Sequence, residues 1–202
     1  MQNALNYVVN KKRIVIGGTS AGCAIQGEFG FSAEFDTILS RDALENPFDK
    51  RITLGRNLIE HKLLINTITD THYNNPDRRG RHISFMSRIY KDYLSSNSSL
   101  LVRGIGVDEQ TVVCIESNGV ARVFGKYSAF FIQQSSSSNT PETCEPNKRL
   151  NWYRNRQALK VYRIYGNNFG DRFFNLNNWN TGFGGSWSYM FVDNGYFSTN
   201  SK

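Results

Sequence analysis

One stretch of the chain combines the signals of a strand, a turn and a helix: Arg13-Ile14-Val15-Ile16-Gly17-Gly18-Thr19-Ser20-Ala21-Gly22-Cys23-Ala24-Ile25. Residues 13–16 form a short apolar run rich in β-branched side chains, which predicts a strand. Two glycines and a serine between small residues follow, and the sequence after them is compatible with a helix from residue 20 to about residue 27. A strand, a sharp turn and a helix in this order are typical of a nucleophile elbow.

The turn itself fits the G-x-S-x-G pattern, in which small neighbours let Ser20 occupy a strained backbone conformation. We expect a Cβ atom at Gly18 or Gly22 to collide with the turn or with the following helix. The backbone N–H of Ala21 is expected near a helix N-terminus, where an unpaired donor can stabilise an oxyanion. From this motif alone, an ordinary glycine-rich turn and a phosphate-binding loop stay open as alternatives.

The composition predicts a globular protein of one domain, or one domain with a small appendage. Hydrophobic residues make up 39% and charged residues 20% of the 202 positions, which is unlike a disordered chain. Three cysteines at irregular positions give neither a metal-binding pattern nor a complete disulfide framework. We expect neither a metal nor a cofactor.

The charge and hydropathy patterns limit the kinds of partner that the chain is expected to have. Its net charge is +7, but Lys and Arg are scattered, and the densest cluster, residues 78–81, is explained equally well by an anionic substrate or a solvated face. We therefore expect no nucleic-acid partner. No apolar run approaches the ~20 residues that span a bilayer. Because residues 1–12 do not resemble a targeting signal, we expect a soluble protein and leave its compartment open.

Hydrophobic periodicity divides the chain into three parts. Residues 1–133 predict a mixed domain, residues 134–149 are polar and predict a flexible linker or loop, and residues 150–202 are rich in aromatic residues and Asn and predict a small β-rich appendage. Helical patterns cover residues 4–9, 40–45 and 80–94. Strand patterns cover residues 51–54, 63–69, 100–105, 111–115, 121–124, 129–133 and 158–165.

A serine nucleophile needs a base, and three histidines are available. His72 follows a predicted strand, where α/β proteins place catalytic groups, and is the best candidate. His61 has the surroundings of a surface residue. His82 begins the helix of residues 80–94, and we expect it to fill an exposed first turn.

The carboxylate that would orient the base is less clearly indicated. Asp70 shares a strand face with His72 but is too close in sequence to orient its ring well. We therefore favour Glu34, with Asp36 as the alternative. Basic residues follow the histidine: Arg78 and Arg81 are three positions apart near a helix start and can point together toward a carboxylate of a substrate.

Four segments resemble, in this order, the motifs of the cyanophycinase and aspartyl dipeptidase family of serine peptidases. They are Gly18-Thr19-Ser20-Ala21-Gly22, Asp70-Thr71-His72-Tyr73, Arg78-Arg79-Gly80-Arg81 and Gly104-Ile105-Gly106-Val107-Asp108-Glu109-Gln110-Thr111. The resemblance spans residues 13–132 and implies a flavodoxin-like three-layer α/β sandwich related to class I glutamine amidotransferases, incomplete at the N-terminus.

The resemblance also implies residue roles. Ser20 corresponds to the nucleophile and His72 to the general base, and Glu34 or Asp36 would orient that base. Asp70, Arg78 and Arg81 would hold the substrate, while Pro76 stands where cyanophycin-cleaving members have an additional arginine. Cyanophycin has an aspartate backbone with an arginine on each side chain, and these enzymes release β-aspartyl-arginine.

Three hypotheses follow. The first is a serine-type peptidase that hydrolyses acidic or β-aspartyl bonds in a peptide or cyanophycin-like substrate, as a homodimer or with a complementing N-terminal chain. The second is a catalytically silent fragment or binding module that needs a partner chain. The third is an α/β-hydrolase esterase, against which the short separation of Ser20 and His72 argues.

Overall fold

The computed structural model describes residues 2–97 and 99–201, which form a mixed α/β fold. The helices are α1 (Gln2–Asn10), α2 (Ala21–Ala24), α3 (Ser40–Glu45) and α4 (Arg79–Ile89), and α4 continues as a π-helical turn, Tyr90–Leu94. The strands are β1 (Phe29–Phe31), β2 (Leu54–Arg56), β3 (Thr67–Thr71), β4 (Arg103–Val107), β5 (Thr111–Ile115), β6 (Val120–Gly125), β7 (Ser128–Gln134), β8 (Leu159–Tyr165), β9 (Phe173–Asn175), β10 (Gly182–Phe183), β11 (Gly185–Asp193) and β12 (Tyr196–Ser201).

Two sheets organise these strands. Eight strands form the main sheet in the order β12-β11-β8-β7-β4-β3-β1-β2, and four form a smaller sheet in the order β10-β9-β6-β5. Strands β3 and β4 run parallel, whereas β4, β7, β8, β11 and β12 pair antiparallel in turn. The predicted α/β class is therefore confirmed, with a sheet of mixed strand direction.

Alternating residues cover the two faces of the main sheet with different layers. On one face, apolar residues such as Ile68 and Ile132 pack with helix α4, which contributes Ile83, Phe85 and Met86. On the other face, residues such as Ile105 and Phe131 pack against the smaller sheet and Trp179. The period of two along each strand produces this division, because successive side chains point to opposite faces.

The strand expected at residues 13–16 is absent from the described chain, and this prediction is wrong. Residues 13–18 form no strand, and the side chains of Ile14 and Val15 are 57% and 95% exposed. A β-branched run favours a strand only when another strand lies alongside to pair with it, and none pairs with this segment among the described residues.

Residues 150–202 are more integrated than the expected appendage. Strands β8, β11 and β12 extend the main sheet, and β9 and β10 complete the smaller one. Apart from Gln134, which ends β7, the polar segment 134–149 is a loop that packs onto the body of the protein, since Cys144 is buried and Trp152 Nε1–H donates to the carbonyl of Asn139. No helix within the described ranges is both long and apolar enough to cross a membrane.

Candidate active site

Ser20 lies on a strained turn directly before helix α2. Its backbone has φ 49° and ψ −119°, a conformation that non-glycine residues rarely adopt. A Cβ atom at Gly18 would lie 2.6 Å from the carbonyl carbon of Gly22, so Gly18 must be glycine, as expected. The same expectation is wrong for Gly22, where a Cβ atom would meet nothing within 4 Å. Helix α2 covers only Ala21–Ala24, which is shorter than predicted.

His72 faces Ser20 from the carboxyl end of strand β3. The distance between Ser20 Oγ and His72 Nε2 is 3.1 Å, within hydrogen-bond range. His72 has φ 52°, so the backbone is also strained at this residue. The two residues predicted as nucleophile and base are therefore adjacent, although 52 positions separate them in sequence.

The carboxylate against His72 belongs to Glu109. Its Oε1 atom is 2.9 Å from His72 Nδ1, which completes a hydrogen-bonded series of hydroxyl, imidazole and carboxylate. Glu109 follows strand β4, and the register that pairs Thr71 with Val107 brings the two loops together. The backbone N–H of Glu109 donates to Asn74 Oδ1 at 3.1 Å, which fixes the loop of Glu109 against the loop of His72.

The expected orienting residues, Glu34 and Asp36, have other surroundings, so that prediction is corrected. Both are exposed in the extended segment after β1, where the backbone N–H of Glu34 donates to Thr53 Oγ1 and Asp36 Oδ1 accepts the N–H of Thr37. Catalytic residues of α/β proteins often follow the carboxyl ends of strands, which is why the sequence points to His72. The acidic residues after the strand predicted at residues 100–105 have the same kind of position, and this signal identifies Glu109 as a candidate.

Asp70 and Arg81 form a buried ion pair with each other. Arg81 donates from Nε and Nη2 to the two carboxylate oxygens of Asp70 at 2.9 Å and 2.6 Å, and the side chains are only 5% and 2% exposed. This buried pair joins strand β3 to helix α4. The substrate contacts expected of these two residues are therefore corrected to a structural ion pair.

Arg78 differs from Arg81 because it keeps free donors near His72. Its Nη1 donates to the carbonyl of Thr71 at 3.2 Å, and within the described chain it makes no ion pair with a carboxylate. Burial, together with the nearby charge of Arg81, lowers the pKa of Arg78, and the attraction of Asp70 and Glu109 offsets this only in part. Arg78 and Arg81, expected to point together toward a substrate, therefore have different surroundings, and substrate binding by Arg78 stays a prediction.

Next to His72 lies a buried hydrogen-bonded pair, Tyr73 and His82. Both nitrogens of the His82 imidazole form hydrogen bonds. Tyr73 Oη lies 3.0 Å from Nδ1, and the carbonyl oxygen of Ile68 lies 3.2 Å from Nε2. The carbonyl can only accept, so Nε2 carries the proton and the Tyr73 hydroxyl donates to Nδ1. His82 is fully buried, and burial lowers its pKa. The prediction that it lies exposed is wrong.

Strand β4 makes room for this pair through two glycines. A Cβ atom at Gly104 would lie 2.9 Å from His82 Cε1, and one at Gly106 would lie 2.4 Å from Tyr73 Cζ. His61, the third histidine, is half-buried beside the short turn Lys62–Leu64.

Ala21 and Cys23 follow the serine in helix α2. Ala21 begins helix α2, and its backbone N–H donates to no acceptor in the described part of the chain. Cys23 packs partly buried against the core between the two sheets, and Thr69 Oγ1–H donates to its carbonyl at 2.7 Å. Burial raises the pKa of the Cys23 thiol to about 11, which keeps it protonated and inert at neutral pH.

Fold and site together define a class of protein: a mixed α/β protein with a candidate hydrolytic site at the carboxyl edge of its main sheet. Comparison with known proteins gives the relationship, and the chain is related to the cyanophycinases. It is 30% identical to the cyanophycinases of Synechococcus elongatus and Thermosynechococcus vestitus over 136 residues, which are 67% of this chain and 36% of either relative.

The cyanophycinase of Trichormus variabilis gives a longer match. It is 28% identical over 163 residues, which are 80% of this chain and 45% of the relative. The chain thus matches less than half the length of these curated relatives. No protein-family model matches it. The relationship to cyanophycinases that the sequence motifs indicate is therefore confirmed.

Proposed function

We propose that the chain is the part of a serine-type peptidase that carries the nucleophile, the base and the orienting acid, and that it acts on acidic or β-aspartyl peptide bonds. One observation carries the proposal: the continuous series from Ser20 Oγ to His72 Nε2, at 3.1 Å, and from His72 Nδ1 to Glu109 Oε1, at 2.9 Å. Similarity to cyanophycinases, whose name describes cleavage of an aspartate-rich polymer, supports the substrate class.

The chemistry of the site follows from these contacts. His72 Nε2 takes the proton of the Ser20 hydroxyl as Oγ attacks the substrate carbonyl, and Glu109 stabilises the imidazolium that forms. The N–H of Ala21 donates to the oxyanion. His72 then gives its proton to the leaving amine, and a water molecule hydrolyses the acyl-enzyme with His72 acting again as the base.

Strain at the two reacting residues supports this assignment. Ser20 and His72 both have positive φ, and such conformations cost about 1–3 kcal/mol each and cluster at functional sites. Of the thirteen non-glycine residues with positive φ in the described chain, these two have side chains within hydrogen-bond distance of each other. A nucleophile elbow at Ser20 and a flavodoxin-like three-layer arrangement are parts of the same proposal.

Arg78 is the residue proposed to bind a substrate carboxylate. Its unpaired donors lie beside the base, and a guanidinium can bind a carboxylate with two parallel hydrogen bonds. Pro76 stands where cyanophycin-cleaving members have an arginine, so the contact with the substrate carboxylate is assigned to Arg78.

A fluorophosphonate probe tests the proposal directly. We expect the probe to label the purified protein at Ser20, and Ser20→Ala to abolish the labelling. Release of β-aspartyl-arginine from a cyanophycin-like substrate tests the substrate class separately. A folded protein whose labelling persists in Ser20→Ala would refute the role of this serine.

A second candidate is a catalytically silent module that needs a partner chain, and one observation favours it. Helix α1 has no buried residue, and the segment after it exposes Ile14 and Val15, so this region offers an apolar surface to a second chain or a second copy. Absence of probe labelling by a folded protein would select this candidate.

A further inference from the structure

An arginine from the C-terminal part of the chain lies at the same edge of the main sheet as the candidate active site. The strand registers place four residues in one row across the sheet, namely Thr71, Val107, Ala129 and Ile164. His72 follows the first of them, and Arg163 precedes the last. Since neighbouring strands are about 4.8 Å apart, three strand steps and the offset along the strands separate His72 from Arg163 by roughly 15 Å.

Contacts between side chains link the two positions. The ring of Tyr73, the residue after His72, is 5.1 Å from the ring of Phe130. The guanidinium carbon of Arg163 is in turn 5.3 Å from the centre of the Phe130 ring and 5.8 Å from that of Tyr165. Arg163 therefore lies on the helix-covered face of the sheet, one packed ring away from the loop that carries the base.

The guanidinium of Arg163 is held in place but not neutralised. Its Nε–H donates to Ser128 Oγ at 2.9 Å, and the two flanking rings lie within cation–π distance. Asp108 interacts with it electrostatically, but the Asp108 carboxylate accepts the Ser128 N–H and makes no ion pair with Arg163 in the described part of the chain. The exposed Nη groups are thus available as a preoriented two-pronged donor.

An open cleft of about 320 Å³ lies over this arginine. It is lined by Arg163, Tyr165, Gly184, Gly185 and Ser186. The two glycines contribute only backbone atoms to its lining, and the Ser186 hydroxyl adds a second donor. The chemistry of the cleft, one guanidinium with a hydroxyl and an aromatic wall, suits a carboxylate on an extended chain.

We propose that Arg163 and Ser186 form a second subsite, which binds a carboxylate of an acidic peptide while the bond to be cleaved lies at Ser20. This rests on the proposed function and extends its substrate class to acidic chains of several residues. An extended chain covers about 3.3–3.6 Å per residue, so roughly 15 Å corresponds to about four or five residues between the two positions.

Binding of oligo-aspartate to the full protein carrying Ser20→Ala tests the subsite without relying on catalysis. We would measure fluorescence anisotropy with labelled di-, tetra-, hexa- and octa-L-aspartate. Affinity is expected to rise between the dimer and the hexamer, and Arg163→Gln is expected to weaken octamer binding about tenfold, which corresponds to about 1.4 kcal/mol. Arg163→Lys retains the charge but loses the fork, so its loss is expected to be smaller.

The matched control is Arg41→Gln, which removes the same charge from a side chain that is 92% exposed on helix α3. It should change the affinity less than twofold, because general attraction to a basic surface is weak and screened. Equal losses in Arg41→Gln and Arg163→Gln, affinity independent of length, or equally tight binding of octathymidylate would each overturn the subsite. Labelling of Ser20 by the fluorophosphonate probe reports on the proposed function independently of these measurements.

Discussion

Replacing Glu109 with glutamine removes the charge that would stabilise the protonated imidazole of His72, while it keeps the size of the side chain and an oxygen that can accept a hydrogen bond. If the proposed mechanism holds, the variant keeps the fold and substrate affinity but loses transition-state stabilisation. We expect a fall in kcat with little change in KM, because the charge acts only when His72 becomes protonated during the reaction.

The structure sets the size of this effect. Glu109 Oε1 and His72 Nδ1 are 2.9 Å apart, and the two side chains are 38% and 36% exposed. Two unit charges 4 Å apart interact by about 1 kcal/mol in bulk water and about 4 kcal/mol at the effective dielectric constant of a protein surface. Because partial exposure places this pair between the two limits, and each 1.36 kcal/mol is tenfold in rate, kcat should fall about fivefold to about a thousandfold.

The assay compares three proteins: wild type, Glu109→Gln and Glu34→Gln. Glu34 is a matched control, because it is an exposed glutamate whose carboxylate makes no hydrogen bond or ion pair within the described residues. Initial rates of β-aspartyl-arginine release and rates of fluorophosphonate labelling should both fall in Glu109→Gln and stay within twofold of wild type in Glu34→Gln. A Glu109→Gln variant with wild-type rates, or an equal loss in Glu34→Gln, would refute the reasoning.

Three further predictions concern the support of the site, each measured by urea unfolding. Gly106→Ala should destabilise the protein by about 1–3 kcal/mol, because the added Cβ atom would lie 2.4 Å from a buried aromatic ring, whereas Gly55→Ala, whose nearest contact is 3.9 Å, should cost less. Asp70→Ala should cost about 3–5 kcal/mol because it leaves its buried guanidinium partner unpaired, and a change in KM at unchanged stability would contradict a structural role. Burial lowers the pKa of His82 below 6.5, so the unfolded chain binds a proton that the folded chain does not. Stability should therefore fall as the pH drops from 6.5 to the folded pKa and level off below it, and His82→Gln should lack this slope.

Local sequence signals predicted the elements that depend on neighbouring residues. Helix α3 covers residues 40–45 and strand β5 residues 111–115, both as predicted. The Asn-Gly pair 118–119 between the strands predicted at residues 111–115 and 121–124 is a hairpin signal, and the β-hairpin of β5 and β6 closes there with Gly119 at φ +86°. Glycine, asparagine and alternating apolar residues act over a few positions, so a single sequence reveals them.

The predictions that are wrong concern residues whose surroundings depend on distant segments of the chain. Glu109 reaches His72 through the register of two parallel strands, which neither strand encodes by itself. His82, on helix α4, is buried because Gly104, on strand β4, leaves space for its ring. The apolar run of residues 13–16 has the composition of a strand but no described neighbour to pair with. In each case the deciding contact joins segments that the sequence pattern treats separately.

The two sides of the candidate site rest on parts of the protein that differ in local stability. His72 and Glu109 follow strands buried in the centre of the main sheet, whereas Ser20 follows a segment in which nearly every residue from 10 to 21 is exposed. Segments with few buried contacts open at lower free energy than the core. Mild denaturant should therefore separate the serine from its base while the sheet persists. Hydrogen exchange would show amides around residue 20 exchanging through this partial opening, and those of β3 and β4 only through global unfolding.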